Sequence, residues 1–320
     1  MLGREGQRRL GESRALVVGC GALGTHTAEL LLRAGVETLT LVDRDVVEER
    51  DLHRVALFTP ADVGRPKAEA AADALRRIAR HAAITSHAAH LDPHLAEELV
   101  PKADVVLDAL DNLDARYLVN DACVKHGVPW VYTAVLATYG MTMPIVPAGG
   151  PCLRCLFPDP PPPGTIPTCA EAGILGPVPA ALAALQAATA IQVLVRSPDL
   201  VPGGLLRLDL WAGRAETTRV ERAADCPCCG KRRFEFLSRP SRTTILCGDA
   251  VQVLPRTRGD LDLDGLAARL TPLGKVRLAG GVLVASLEGA QLTVFPDGRA
   301  LVKRASPDRA QTLYDRYIAR

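Results

Sequence analysis

Aromatic side chains are scarce in this chain: Phe, Tyr and Trp make up 4% of its 320 residues. With 48% apolar residues there is material for a substantial core, but that core has to be built mostly from Ala, Val and Leu. Charge of one sign is lacking too. Lys and Arg number 38 against 36 Asp and Glu, a net +2, so electrostatics give no reason to expect nucleic acid or a membrane surface as partner. The longest apolar stretch, residues 180–195, is interrupted by Gln186, Thr189 and Gln192; it is too short and too polar for a membrane span and reads as a buried helix. Arg4, Glu5, Arg8 and Arg9 stand where an export signal would be apolar. A cytoplasmic protein is therefore expected. In that reducing compartment, 9 cysteines point to metal ligation or reactive thiols rather than disulfides. No internal repeat is evident.

What the chain does have is alternation of strand and helix. Residues 14–19 form a short apolar run entering a glycine-rich turn, residues 25–34 a helix stopped by Gly35, and residues 38–43 a second strand. A helix over 66–81 follows, then strands over 83–87 and 103–108 and a helix over 116–126. This order predicts an α/β fold: a doubly wound, mainly parallel, Rossmann-like sheet. Prolines crowd residues 158–163 and exclude regular structure there. Beyond Gly230 the composition shifts. A helix over 262–270, strands over 250–254, 282–286 and 291–295, a turn at Pro296-Asp-Gly298 and a helix over 306–318 capped by Ser306 suggest a small α+β domain. The expected boundaries are residues 1–238 and 239–320.

Two motifs carry chemistry. Cys152-Leu-Arg-Cys155 and Cys226-Pro-Cys-Cys229 are two Cys-x-x-Cys pairs, each spaced so that both sulfurs reach one metal ion. Together they complete a four-thiolate zinc site, closed to substrate and therefore structural. Cys228 could compete, but the two-residue spacing favours Cys226 and Cys229. The second motif is Gly19-x-Gly21-x-x-Gly24 between strand and helix, a turn that admits phosphate or ribose to the backbone. Asp43, at the end of the second strand, is placed to accept hydrogen bonds from ribose hydroxyls. Alone, this pattern reads as an NAD-dependent oxidoreductase. Arg54 and Lys67 follow, each in or near a turn, and two cations there suit a triphosphate. Asp111 lies just past a strand's carboxyl end, where a carboxylate facing a triphosphate is by default a Mg²⁺ ligand.

The ordered set Gly19-Cys-Gly-Ala-Leu-Gly24, Asp43-Arg-Asp45, Asp51-Leu-His-Arg54, Gly64-Arg-Pro-Lys67, Asp108-Ala-Leu-Asp111-Asn112, the two cysteine pairs and Thr168-Cys169-Ala-Glu-Ala-Gly173 resembles the ThiF/MoeB/HesA family, bacterial relatives of ubiquitin-activating enzymes. The resemblance implies ATP- and Mg²⁺-dependent adenylation of the C-terminal glycine of a ubiquitin-fold sulfur carrier ending in Gly-Gly, by a homodimer with structural zinc. It implies that Gly19, Gly21 and Gly24 floor the nucleotide site and Asp43 holds the ribose. Arg54 and Lys67 would grip the phosphates and Asp111 would bind Mg²⁺, with Asp45 and Asn112 among the nucleotide-binding residues. Cys169 corresponds to a thiol that in some members captures the activated carrier. Departures are visible. Family members carry an Arg-Tyr-x-Arg-Gln segment ahead of the stretch matching residues 2–7, so the natural start is expected upstream of Met1. The Asn and Gln that flank the Arg54 position in relatives are here Asp51 and Val55. The C-terminal extension lacks the reactive loop of a rhodanese domain. The non-catalytic alternative is a member that binds a carrier without activating it.

Overall fold

The computed structural model describes residues 2–161, 169–196, 203–238, 244–245, 250–255 and 259–319, the side chains of 169–170 and 244–245 excepted. The chain divides into two compact units, Met1–Val63 with Lys67–Arg239, and Gly64–Pro66 with Pro240–Arg320.

The first unit runs α1 (Gly3–Glu12), β1 (Arg14–Val18), α2 (Ala22–Ala34), β2 (Thr38–Val42), α3 (Lys67–Ile78), β3 (Ala83–His87), α4 (Pro93–Leu99), β4 (Val105–Asp108), α5 (Leu113–His126), β5 (Trp130–Leu136), β6 (Tyr139–Ile145), α6 (Leu153–Leu156), α7 (Cys169–Ala172), α8 (Pro177–Val195), β7 (Leu205–Asp209) and β8 (Arg214–Thr218). Its sheet has the order β3-β2-β1-β4-β5-β6-β7-β8. Strands β3 to β5 pair in parallel and β6 to β8 continue antiparallel. β1 sits centrally and is apolar on both faces, as a parallel strand covered on both sides must be. Its Ala15 and Val17 join a core with Leu31 of α2, Leu75 of α3 and Ala190 of α8. Its Leu16 and Val18 join a separate core with Leu95 of α4, Leu118 of α5 and Trp130 of β5. That is the doubly wound arrangement the sequence predicts.

Several boundaries move for identifiable reasons. α2 begins at Ala22, directly on Gly21, ahead of the first residue whose apolar period was readable. α5 begins at Leu113 because the Asn112 side chain accepts the Ala115 amide at 2.9 Å and caps it. Strands β5 to β8 were not expected from sequence. All five residues of β8 are exposed, so that strand has no apolar face to announce it.

α8 is long and apolar enough to cross a membrane by length and composition, yet its middle is held by polar bonds inside the first unit. Gln186 is completely buried. Its amide donates to the backbone oxygens of Asp108 at 2.7 Å and Val131 at 3.1 Å, and its oxygen accepts from Thr27 Oγ1 at 2.7 Å. One side chain thus ties α8 to α2, to the carboxyl end of β4 and to the start of β5.

The second unit comprises β9 (Thr244–Ile245), β10 (Ala250–Val253), α9 (Leu263–Leu270), β11 (Lys275–Ala279), β12 (Val282–Leu287), β13 (Ala290–Val294), β14 (Ala300–Lys303) and α10 (Pro307–Tyr317). Its antiparallel sheet has the order β11-β12-β13-β14-β10-β9. Val251, Leu283, Leu292 and Val302 pack with Leu266 of α9 and Leu313 of α10. Asp262 caps α9, and Ser306 with Pro307 opens α10 as the sequence suggests.

Replacing Gln186 by Leu keeps the volume but strands two strand carbonyls and the Thr27 hydroxyl. A loss of about 2–4 kcal/mol is expected. It would be read as a lower denaturation midpoint with native helix content, and an unchanged midpoint would contradict the tie.

Candidate nucleotide site and cysteine cluster

Strand register decides where the site lies. Val18, the last residue of β1, pairs with Val42 of β2 and Asp108 of β4. The loops after these three strands therefore leave the sheet at one level, at the carboxyl ends where open α/β sheets bind ligands.

The three glycines of the first loop differ in purpose. Gly19 has φ +99°, and a β-carbon there would strike the Ala109 carbonyl; one on Gly24 would strike the carbonyl of Gly19. Both are required by packing. A β-carbon on Gly21 would enter open space, so packing does not demand glycine there. Gly21 opens α2, and among the described residues no side chain caps that turn. Uncapped amides and a helix dipole make this an anion-accepting end.

Asp43 braces the loop. Its Oδ2 accepts the Cys20 amide at 2.6 Å and its Oδ1 the Asp45 amide at 2.7 Å. Burial, then the neighbouring Asp45 charge, push its carboxyl up to about 6 against the pull of Lys67 and the two amides.

The two cations expected from sequence meet on one acid. Asp51 is 4% exposed; its Oδ1 accepts from Arg54 Nη2 at 2.8 Å and its Oδ2 contacts Lys67 Nζ at 3.2 Å. Burial alone would raise the Asp51 carboxyl, but Lys67, the Glu48 amide and Arg54 hold it below the ordinary range. Burial likewise opposes the charge on Lys67, yet Asp45, Asp43 and Asp51 together hold the amine protonated well above its usual range.

Asp111 is exposed, while Asn112 is spent on capping α5. A buried arginine that sequence reasoning passed over, Arg44, sits between acids: Nη2 lies 3.9 Å from Asp111 Oδ1 and Nε 4.0 Å from Asp45 Oδ1, with Nη1 3.4 Å from His90 Nδ1. An arginine between two aspartates just past a strand end was the available signal. Asp108 is completely buried and paired with Arg116 of α5 at 3.1 Å. Burial pushes its carboxyl up to about 6 despite Arg116.

The two cysteine pairs converge. The Sγ atoms of Cys152, Cys155, Cys226 and Cys229 all lie within 4.8 Å of one another, with Cys152–Cys226 at 3.6 Å and Cys155–Cys229 at 3.4 Å. Zinc–sulfur bonds of about 2.3 Å in a tetrahedron place sulfurs about 3.8 Å apart, so the donor set fits zinc. Cys228 stands outside this set of four: its thiol lies against Cys152 and accepts from Asn120 Nδ2 at 3.2 Å, while Asn120 Oδ1 accepts the Leu153 amide at 2.9 Å. Asp121 accepts the Phe236 amide at 3.0 Å. α5 thereby grips both knuckles. Cys169 opens α7; its side chain, the preceding residues 162–168 and Cys247 lie outside the described residues.

With this geometry in place, the likeness to known proteins is informative. The ThiF family model matches residues 1–228. The chain belongs to the ThiF family. Over 326 aligned residues this ThiF-family chain is 37% identical to a sulfur carrier protein ThiS adenylyltransferase of Bacillus subtilis (strain 168), spanning 99% of this chain and 96% of that protein. It is 40% identical over 234 residues to a sulfur carrier protein adenylyltransferase of Thermus thermophilus, covering 72% of this chain and 86% of the other. Among solved structures, E. coli MccB with ATP shares the fold at a TM-score of 0.63 and 22% identity, over 71% of this chain and 69% of that one.

The thiol geometry predicts one zinc ion per chain in purified protein, read by metal analysis. Cys155→Ser should lower zinc retention against a chelator by at least about tenfold. Full retention in that variant would remove Cys155 from the ligand set.

Proposed function

We propose that this protein adenylates the C-terminal glycine of a ubiquitin-fold sulfur carrier ending in Gly-Gly, using ATP and Mg²⁺, as a cytoplasmic homodimer with structural zinc. The observation that carries the reading is the open space at Gly21, next to the Cys20 amide that Asp43 holds, in a unit that also pairs Arg54 and Lys67 on one buried acid. The curated relative that is alike along nearly the whole chain, second unit included, is named for ThiS, which favours a ThiS-type carrier.

Each residue then has a task. Gly21 and the first turn of α2 lie under the nucleotide, and Asp43 accepts the ribose hydroxyls. Arg54 and Lys67 draw the phosphates into line for attack by the carrier carboxylate on the α-phosphorus. That carboxylate is ionised at neutral pH, so the chemistry needs no general base. Its difficulty is bringing two anions together, and the protein's work is charge neutralisation and alignment. Asp111 would hold Mg²⁺, whose contribution when bound is to offset charge on the departing pyrophosphate. Cys169 is the proposed acceptor of the activated acyl group, its thiolate displacing AMP to leave a thioester.

ATP–pyrophosphate exchange that depends on a carrier ending in Gly-Gly is the expected activity. Asp111→Ala should abolish it, and Gly21→Ala should lower it at least about tenfold with only the small drop in melting temperature that alanine costs at a helix N-cap, since the added methyl would meet ligand rather than packed side chains. Carrier-independent exchange, or none with zinc-loaded folded protein, would count against the reading.

Acid should weaken nucleotide binding through Asp43. An ionised carboxylate accepts two hydroxyls, whereas its protonated form competes as a donor. The wild-type advantage over Asp43→Asn in nucleotide affinity should therefore shrink as pH falls from about 7.5 to about 5, with a midpoint near the raised value of about 6. A pH-independent ratio by calorimetry would exclude this role.

A further inference from the structure

We propose that Arg116 is a positioning residue: its buried guanidinium, held between Asp108 and the Leu110 carbonyl, fixes the peptide that carries Asp111 and so the direction in which that carboxylate faces. The inference deepens the reading above and rests on it for the Mg²⁺ that Asp111 would hold, though not for the fixing of the loop.

Asp111 is weakly restrained by its own side chain, which is 45% exposed and makes only a long ion pair, 3.9 Å, with Arg44. Its direction has to come from the backbone beneath it. The residues on either side supply this. Leu110 is gripped at both backbone groups: its amide donates to Asp108 Oδ1 at 2.9 Å, and its carbonyl accepts from Arg116 Nη2. That carbonyl belongs to the planar peptide joining Leu110 to Asp111, so the contact falls on the unit from which Asp111 departs. On the far side, Asn112 accepts the Ala115 amide at 2.9 Å and caps α5. The root of the loop is tied to β1, where the Ala109 amide donates to the Val18 carbonyl at 2.9 Å.

Arg116 can hold the loop because it is itself held. Its Nε lies 3.1 Å from Asp108 Oδ2, its Nη2 also donates to the Thr133 carbonyl of β5 at 3.2 Å, and its guanidinium lies 5.4 Å from the centre of the Tyr132 ring. Asp108 is held in turn by Gln186, which donates to its carbonyl at 2.7 Å. A planar fork suits this task. It turns Nε to a carboxylate and Nη2 to two carbonyls at fixed angles, whereas lysine offers one nitrogen on a flexible stem. Lysine at this position would still answer the Asp108 charge but could not reproduce the fork at the Leu110 carbonyl. Arg116→Lys therefore separates charge compensation from loop positioning.

The test is a cycle of Arg116→Lys, Asp111→Ala and the double variant, read by calorimetric ATP affinity with and without Mg²⁺ and by exchange kinetics. Arg116→Lys should lower ATP affinity in saturating Mg²⁺ about tenfold while changing metal-free affinity less than about threefold. The Mg²⁺ concentration for half-maximal exchange should rise by a similar factor. In the Asp111→Ala background the same substitution should cost less than about threefold, because Arg116 acts through Asp111. Equal losses with and without metal, no loss, or losses that multiply in the double variant would overturn the proposal. A second readout needs neither metal nor turnover. Hydrogen exchange of the amides of residues 110–112 should be at least about tenfold faster in Arg116→Lys, with β1 unaffected; unaltered exchange would overturn the proposal even if affinity falls. A wild type whose ATP affinity does not depend on Mg²⁺ would defeat the metal reading of Asp111 instead and leave hydrogen exchange to decide Arg116. Should Arg116→Lys fail to fold, Asp108→Asn, which loosens Arg116 while keeping an oxygen for the Leu110 amide, takes its place in both assays with the same expected outcomes.

Discussion

Parallel pairing of β1 with β2 on one side and β4 on the other is the constraint from which the rest of the first unit follows. Because Val18 stands opposite both Val42 and Asp108, three loops emerge together, and each brings a different chemistry. The first brings backbone amides, the second the carboxylates of Asp43 and Asp45 with Arg44, the third Asp111. A one-residue slip of β1 against β2 would send Leu16 and Val18 to the opposite core and part the Cys20 amide from Asp43. Core packing and site assembly thus depend on the same register.

Polar bonds inside the apolar layers keep that register. Gln186 reaches from α8 to carbonyls at the last residue of β4 and near the start of β5 while holding Thr27 of α2. On the other face, α5 begins two residues after Asp111, pairs Arg116 with Asp108, and reaches the two cysteine knuckles through Asn120 and Asp121. A single helix therefore spans from the third loop to the thiol cluster. The cysteines bring the chain after β6 against the chain after β8, where Leu153 and Phe236 also join the core.

Much of this was legible in the sequence because local rules demanded it. A glycine-rich turn between strand and helix leaves few choices for Gly19 and Gly24, and two Cys-x-x-Cys pairs in one chain have few reasons other than a shared ion. The ThiF likeness placed the remaining landmarks in order. What sequence could not supply was pairing across loops. Asp51 and Lys67 are far apart in the chain, and nothing in either segment says that one acid would hold both cations. Asn112 illustrates a different limit: a residue matched to a nucleotide-binding motif also caps a helix, and the two duties share one side chain. β8 escaped because an entirely exposed strand carries no alternation.

The central claim is that this loop cluster activates a carboxylate by adenylation. Its most direct test is the intact mass of a ThiS-type carrier after incubation with the protein, ATP and Mg²⁺ under acidic quench. The account predicts a carrier species heavier by one adenylyl group, with the added mass on the C-terminal glycine and absent from a carrier lacking that residue. A carrier that binds the protein tightly yet keeps its original mass would contradict it.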